Sequence, residues 1–337
     1  MSSSIEQGSA VPSYETVNTN INSAKVYIKP SSYVGFETIT SQIESKLIRK
    51  GFQFNIMSVG YSGLGKSTFI NTLFSSSLKN GGESLDHVED ESTILKTTEI
   101  KTKSFNLKEG KVKLNVNLID TPGFGDQINN SKQWEPIVKH IKEQYSLYLR
   151  KELTANRERR IVDTRIHCIL YFLSPNLANG LTELDIMTLK KLSEISNVVP
   201  VIAKADTLTK IELETYRNRV QKEFELLNLN LYPHDEQFES DDELDEETRE
   251  AENDLIKLIP FAIIGSNNVA NNTKIRSNEK TNDVINVEDP NVCEFVYLRE
   301  FLIRSKLQDL IETTSYIHYE NFRAKQLIAL KETSNKK

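Results

Sequence analysis

The sequence has few of the residues that mark secreted, metal-binding or membrane-spanning proteins. Its 337 residues include only two cysteines, Cys168 and Cys293, too few for a disulfide framework or a cysteine-rich zinc site. No apolar run approaches the roughly 20 residues that span a bilayer. The N-terminus lacks a basic segment followed by an apolar one, so it does not read as a secretory signal. We expect a cytosolic protein whose two thiols are buried.

An excess of positive charge is also missing. The chain has 42 Lys and Arg against 48 Asp and Glu, a formal net charge of −6 at pH 7, which argues against general nucleic-acid binding. Residues 235–252 supply much of the acidic excess. Their like charges repel one another, so we expect an acidic insertion that forms a solvated loop and leads into a helix.

Short apolar runs alternate with segments of helical periodicity along the chain. The strand-like runs lie at 52–59, 113–120, 167–174, 198–204 and 255–266, and the helical patterns lie at 37–50, 66–78, 133–153, 182–196, 209–227 and 292–331. This alternation predicts an α/β fold with a mainly parallel sheet covered by helices on both faces. Residues 267–291, rich in Asn and Thr, predict a small hairpin or loop.

The strongest motif is a phosphate-binding loop. Gly60 to Ser67 reads GYSGLGKS, which fits G-x-x-x-x-G-K-[ST] between a predicted strand and a predicted helix. Glycines let backbone N–H groups turn toward phosphates, and the helix N-terminus adds positive potential. Lys66 is expected to contact the β- and γ-phosphates, and Ser67 is expected to bind Mg²⁺. The predicted nucleotide-binding residues of this loop are Gly60, Ser62, Gly63, Gly65, Lys66, Ser67 and Thr68.

A second motif, DTPG, begins at Asp120 directly after a predicted strand. An acidic residue in this position holds magnesium in nucleoside triphosphatases, often through water. Gly123 is expected to donate its N–H to the γ-phosphate. The same four residues also make an ordinary turn, so the assignment depends on the motif following the phosphate-binding loop.

A third motif, AKAD, ends the next strand and selects the base. Asp206 is expected to accept hydrogen bonds from the ring N–H and exocyclic amine of guanine, which adenine does not offer. The stem of Lys204 is expected to pack over the base. A weaker candidate is Gly265, whose backbone amide could bind the guanine carbonyl, although a glycine at the end of a strand needs no ligand. Together the motifs predict GTP or GDP with Mg²⁺.

Taken in this order, the motifs resemble the septin family of GTPases. The stretches GYSGLGKSTFINTLF, DTPGFGD, AKADTLT and PFAIIGSN carry the resemblance, which covers roughly residues 33–331. It implies a three-layer P-loop GTPase domain with a septin-type C-terminal extension. It also implies assembly with other septins into hetero-oligomeric filaments at the division septum or cell cortex, next to the plasma membrane. Several runs resemble the fungal subgroup that lacks a C-terminal coiled coil.

The resemblance implies a division of the chain into segments. These are a flexible tail at 1–32, a short helix at 33–50, a GTPase domain at 51–266, a C-terminal element with the closing helices at 267–331, and a tail at 332–337. The short helix carries Lys46, Arg49 and Lys50, where septins contact acidic phosphoinositides. The same three residues are also explained without a membrane, because basic side chains stabilise the C-terminus of a helix.

Hydrolysis is predicted to be slow. Phe124 follows DTPG where a water-orienting glutamine would be needed. Thr97 aligns with the septin threonine that is associated with hydrolysis, and it is also a tentative Mg²⁺ ligand. Two alternatives stay open: a scaffold that binds nucleotide without hydrolysing it, and a regulatory GTPase that switches an effector.

The chain departs from the family pattern at the nucleotide-containing interface. Asn278 lies where septins carry an arginine that contacts the base, and Asn282 lies where they carry a tryptophan. The loop 174–181 also lacks the histidine that many septins direct to the neighbouring nucleotide. Such changes fit a specialised paralogue, for instance one used in sporulation.

Overall fold

A computed structural model describes the chain at residues 35, 38–78, 101–121, 124–126, 130, 132–154, 161–176, 180–233, 246–266, 268–270, 273–277 and 284–335. The predicted parallel sheet is confirmed. Its six strands are β1 (Phe52–Gly60), β2 (Lys101–Glu109), β3 (Val112–Asp120), β4 (Cys168–Leu173), β5 (Val198–Ile202) and β6 (Phe261–Ala262). Their order is β2-β3-β1-β4-β5-β6, and every neighbouring pair is parallel except β2 and β3. The antiparallel edge strand β2 is not predicted by the apolar pattern.

Helices cover both faces of this sheet. They are α2 (Lys66–Leu78), α3 (Trp134–Leu153), α4 (Glu183–Ser193), α5 (Lys210–Leu226), α6 (Glu246–Lys257), α7 (Phe295–Arg299), α8 (Leu307–Thr313) and α9 (Glu320–Asn335), and they follow α1 (Thr38–Lys50). Capping boxes begin α4 at Thr182 and α5 at Thr209, where the side chain of each threonine accepts a backbone N–H of the first turn. The helical patterns before residue 230 agree with the observed helices within three residues at each end, whereas the short helix implied at 33–50 begins only at Thr38.

Two apolar cores lie on the two faces of the sheet because successive strand residues point in opposite directions. On β1, Phe54 and Ile56 belong to the first core, and Met57 and Val59 belong to the second core. All residues of β4 and β5 are buried, as expected for central parallel strands. Both cysteines are buried and unpaired, as predicted.

The predicted strand at 255–266 is wrong over most of its length. Helix α6 continues to Lys257, and β6 contains only Phe261 and Ala262. Leu255, Ile256, Leu258 and Ile259 are partly buried against the first core. A short apolar run fits a buried helix end as well as a strand, so periodicity alone did not separate them.

Two other predicted segments are more divided than expected. Residues 267–291 contain an antiparallel sheet of β7 (Asn268–Ala270), β8 (Thr273–Ser277) and β9 (Val284–Asn286) rather than a simple hairpin. The single helix predicted over 292–331 is interrupted by π-helical segments at Glu300–Ser305 and Thr314–Tyr319. Its apolar face packs into the first core as expected, with Phe295, Leu298, Phe301, Leu302 and Leu310 buried.

The chain divides into two compact units, residues 1–46 and 47–337. In the first unit, the Thr38 hydroxyl donates a 2.9 Å hydrogen bond to the Gly35 carbonyl at the start of α1. The side chains of Ile39 and Ile43 in this helix are about half exposed. None of the helices in the described residues combines the length and the hydropathy needed to cross a membrane.

Candidate functional site

The motif residues predicted from the sequence meet at the carboxyl edge of the sheet. Strand β1 ends at Gly60, β3 ends at Asp120, and the segments with Asp206 and Gly265 follow β5 and β6. These strands are parallel, so their carboxyl ends lie along one edge. Open parallel sheets bind ligands at this edge.

The phosphate-binding loop leaves β1 through a glycine that no other residue can replace without strain. Gly60 has a φ of 144°, and a Cβ atom on it would lie 2.6 Å from the Phe172 carbonyl oxygen of β4. The loop then enters α2, where the Phe69 N–H donates to the Gly65 carbonyl at 2.8 Å. The helix N-terminus thus lies directly after the loop, which is the arrangement that binds phosphates.

Lys66 lies across the loop rather than in solvent. Its Nζ donates to the carbonyl oxygens of Gly60 at 2.7 Å and Tyr61 at 2.9 Å, and the residue is only 7% exposed. Burial lowers the pKa of Lys66, while the charges of Asp120 and Asp126 act in the opposite direction. A largely buried ammonium group among backbone oxygens has a strong electrostatic preference for an anionic partner.

Ser67 and Asp120 come together although 53 residues separate them. The Ser67 hydroxyl donates to Asp120 Oδ2 at 2.5 Å, and the Ser58 hydroxyl donates to Oδ1 of the same carboxylate at 3.0 Å. Two hard oxygen donors at the mouth of a phosphate-binding loop fit Mg²⁺, which binds proteins through few ligands and keeps several waters. Ser58, which orients the carboxylate, was not predicted.

The predicted base-binding residues follow β5 in a tight turn. Lys204 adopts a left-handed conformation, with φ 50° and ψ 48°, and precedes a single 3₁₀ turn at Ala205–Thr207. The Ala205 N–H donates to the Ile263 carbonyl at 3.1 Å, which fixes this turn beside the end of β6. A pocket next to the turn is lined by Gly65, Thr68, Phe69, Lys204, Gly265 and Arg276.

The segment after DTPG is fixed against the phosphate-binding loop. Phe124 is buried, and its ring makes edge contacts with Tyr61 and Tyr171. Its carbonyl accepts the Ser62 N–H at 3.1 Å. The Tyr61 hydroxyl lies 2.9 Å from Thr182 Oγ1, and burial raises the pKa of this tyrosine. The residue after DTPG is thus part of the apolar core.

Several predicted residues lie outside the described part of the chain. They are Thr97, Gly123, Asn278 and Asn282, together with 177–179 of the loop that lacks histidine. Their roles therefore stay predictions. Arg276, two residues before Asn278, was not singled out from the sequence, although it stands in the same polar segment.

Comparisons with known proteins agree with these features. A family model described as Septin matches residues 50–336. The chain is 57% identical over 312 residues to "Cell division control protein 10" of Saccharomyces cerevisiae, which covers 91% of this chain and 94% of that protein. It is 51% identical over 307 residues to "Septin homolog spn2" of Schizosaccharomyces pombe, covering 90% of each.

Solved structures are similar as well. The structure titled "Crystal structure of Cdc11 from Saccharomyces cerevisiae" is 30% identical with a TM-score of 0.53, and the match covers 81% of this chain and 99% of that one. A septin GTPase domain from Chlamydomonas reinhardtii has a TM-score of 0.60 and the same coverages. At 24% identity, the second comparison supports the fold alone.

Proposed function

Because the chain belongs to the septin family of GTP-binding cytoskeletal proteins of cell division, we propose that it binds a guanine nucleotide at the carboxyl edge of its sheet and serves as a structural filament subunit. Its partners are other septins in hetero-oligomeric complexes. The observation that carries the proposal is the convergence of Lys66, the Ser67–Asp120 pair and Asp206 on one edge. We infer that the nucleotide is a structural ligand that the subunit holds for long periods.

Different residues are proposed to bind the phosphates, the Mg²⁺ ion and the base. The loop from Gly60 to Thr68 surrounds the phosphates with backbone N–H groups, and Lys66 offsets their charge. Ser67 and Asp120 are the proposed ligands for Mg²⁺, which would neutralise phosphate charge when bound. Asp206 accepts the two guanine donors, and the Lys204 stem covers the base. Gly265 and Gly123 are proposed to contact the guanine carbonyl and the γ-phosphate.

Hydrolysis in this site is proposed to be slow. The position that a glutamine must occupy to orient water is held by Phe124, which is buried against Tyr61 and Tyr171. Thr97 is the proposed residue for the remaining activity. A single-turnover assay with GTP tests this: we expect slow conversion to GDP that Thr97→Ala abolishes. No conversion by the native protein would instead support the non-hydrolysing scaffold.

The site of action is proposed from the relatives. Their names, which include cell division control protein 10, support a location in the cytoskeleton of the division septum. We propose further that the protein lies against the plasma membrane at the bud neck or cortex, through Lys46, Arg49 and Lys50. All three residues are exposed. Three charges contribute roughly 3 kcal/mol near an acidic surface, so attachment depends on their repetition along a filament.

The nucleotide in the purified protein tests the main proposal. We expect denatured protein to release about one guanine nucleotide per chain, and sizing on a calibrated column to show an oligomer with septin partners. Asp206→Asn is the matched variant, because an amide at this position no longer accepts both guanine donors and favours xanthine instead. If Asp206→Asn binds guanine as well as the native protein, the assignment of the base site is wrong.

A further inference from the structure

Arg276 extends from the small antiparallel sheet into the region proposed for the base. Its Nε atom lies 2.9 Å from Asp206 Oδ2, and its Nη1 donates to the Gly265 carbonyl at 3.3 Å. One guanidinium therefore contacts both elements that are proposed to bind guanine. Neither the phosphate-binding loop nor the AKAD motif indicates this residue.

The backbone that carries Arg276 is fixed to the nucleotide site. The Ser266 hydroxyl donates to the Ile275 carbonyl at 2.8 Å, and the Ser266 N–H donates to Thr72 Oγ1 of α2 at 2.9 Å. On its other side, β8 pairs with β9 through Arg276 and Ile285. These bonds connect β8 to the helix that follows the phosphate-binding loop, so the position of Arg276 is coupled to the site.

The two side chains of the ion pair are partly buried. The side chain of Asp206 is 16% exposed and that of Arg276 is 27% exposed. A partly buried carboxylate gains from hydrogen-bond donors that replace water. Its two oxygens offer about four acceptor positions, and the Nε contact uses one of them. The other positions remain for the two donors of guanine, so the arginine and the base do not exclude each other.

Building on the proposed function, we propose that Arg276 is a specificity-determining residue of the guanine site. It holds the Asp206 carboxylate in the orientation that accepts both donors of the base, and the Gly265 carbonyl fixes the guanidinium in turn. A carboxylate fixed in this way favours a base with two donors over a base with one. Arg276 acts through Asp206 and is thus a positioning residue for recognition of the base.

The test compares two nucleotides that differ in one amino group. GDP offers Asp206 a ring N–H and an amine, whereas inosine diphosphate offers only the ring N–H. Titration calorimetry on nucleotide-depleted protein measures both affinities. For Arg276→Ala we expect GDP to bind about 10-fold more weakly and inosine diphosphate about 3-fold more weakly, because hydrogen bonds to a charged group that lose their alignment weaken steeply. The preference for GDP then falls by about 3-fold.

A lysine at the same position is the conservative variant. Its single ammonium group contacts Asp206 without the second contact to Gly265, so we expect Arg276→Lys to recover part of the preference. The matched control is Arg299→Ala, which removes an arginine of similar exposure, paired with Glu288 at 3.1 Å in the same unit. That variant is expected to keep both affinities. Thermal unfolding of each variant shows whether it is folded.

Three results would overturn the inference. An unchanged ratio of the two affinities in Arg276→Ala would leave the arginine a structural role only. Tighter binding of GDP by this variant would mean that Arg276 competes with the base. If Arg276→Ala does not fold, an Arg276→Lys variant that keeps the full preference for GDP would likewise leave the arginine a structural role only. Failure of the proposed function is distinguished by Asp206→Ala: if that variant retains GDP, the base site itself is wrongly assigned.

Discussion

The two ends of the parallel sheet use similar polar residues for opposite purposes. At the carboxyl end, Lys66, Asp120 and Asp206 lie at the edge of a cleft, where each keeps acceptor or donor capacity that a ligand can use. At the amino end, Asn197 is fully buried and satisfied within the protein. Its amide group donates to the carbonyls of His167 and Leu310.

The amino end anchors the closing helices to the sheet. Besides its contacts to the two carbonyls, Asn197 Nδ2 lies 3.1 Å from Thr314 Oγ1, and Asn197 Oδ1 lies 3.0 Å from His318 Nε2. Thr314 and His318 belong to the π-helical segment between α8 and α9. A polar residue thus indicates a ligand site when its hydrogen bonds are incomplete, and it connects structural elements when they are complete.

The largest effect on stability is expected at the amino end. Asn197→Ala removes hydrogen bonds to two carbonyls and two side chains in a buried interior, so we expect the free energy of unfolding to fall by about 3 kcal/mol. Urea unfolding at fixed nucleotide concentration measures it. Asn115→Ala, on the exposed surface of β3, is the control and should change little. A loss below about 1 kcal/mol would remove the contrast between the two ends.

Substitutions at the carboxyl end should change nucleotide affinity rather than stability. Lys66→Ala removes the charge that the phosphates require, and we expect guanine nucleotide affinity to fall about 100-fold, or about 2.7 kcal/mol. Because burial disfavours the charged Lys66 and none of the carboxylates in the described residues contacts it directly, we expect little loss of stability in the ligand-free protein. Calorimetric titration and unfolding without nucleotide separate the two quantities. If Lys66→Ala strongly destabilised the protein but kept its nucleotide affinity, Lys66 would have a structural role rather than a role in binding.

Two glycines of the phosphate-binding loop separate steric contact from backbone strain. Gly60→Ala places a Cβ against the Phe172 carbonyl, whereas a Cβ on Gly63 has no heavy atom within 4 Å. Gly63 has a φ of 75°, so alanine there costs only the backbone strain of about 1 kcal/mol. We expect Gly60→Ala to reduce the free energy of unfolding by about 2 kcal/mol more than Gly63→Ala. Equal losses would show that β4 moves to accommodate the methyl group.

The smallest expected effect is a pH dependence at the amino end. Burial acts to raise the pKa of Asp163, but hydrogen bonds from His167 and Arg165 outweigh it and hold this pKa below its usual range. The carboxylate therefore contributes stability above the unfolded-state pKa of about 4, and this contribution is lost as pH falls further toward the folded-state value.

Unfolding titrations at pH 6 and near pH 3.5 check this expectation. We expect the stability difference between native protein and Asp163→Asn to shrink by about 0.5 kcal/mol at the lower pH. Asp254→Asn is the control, since Asp254 and its partner Lys257 are both largely exposed and such pairs contribute little. A difference that grows as pH falls would mean that the ionised carboxylate destabilises the fold.

The sequence predicted elements well where local pattern and burial agree. Strands β4 and β5 are continuous apolar runs because they are buried on both faces, and β1 is mostly apolar although it contains polar residues. The phosphate-binding loop was recognisable because its spacing is set by the ligand. The edge strand β2 was missed because, over Lys101–Glu109, it alternates apolar and polar residues only weakly. The interruptions of the closing helix were missed because π-helical turns leave little trace in periodicity.

The fold class, the order of the nucleotide motifs and the family follow from the amino-acid sequence alone. All three depend on residues close together in the chain, whose spacing is fixed by backbone geometry and by phosphate chemistry. The contact of Ser58 with Asp120, the packing of Phe124 in the core and the contact of Arg276 with Asp206 are visible only in the three-dimensional structure. These contacts join residues as many as 70 positions apart, and their distances depend on how strands and helices pack, which no local pattern records.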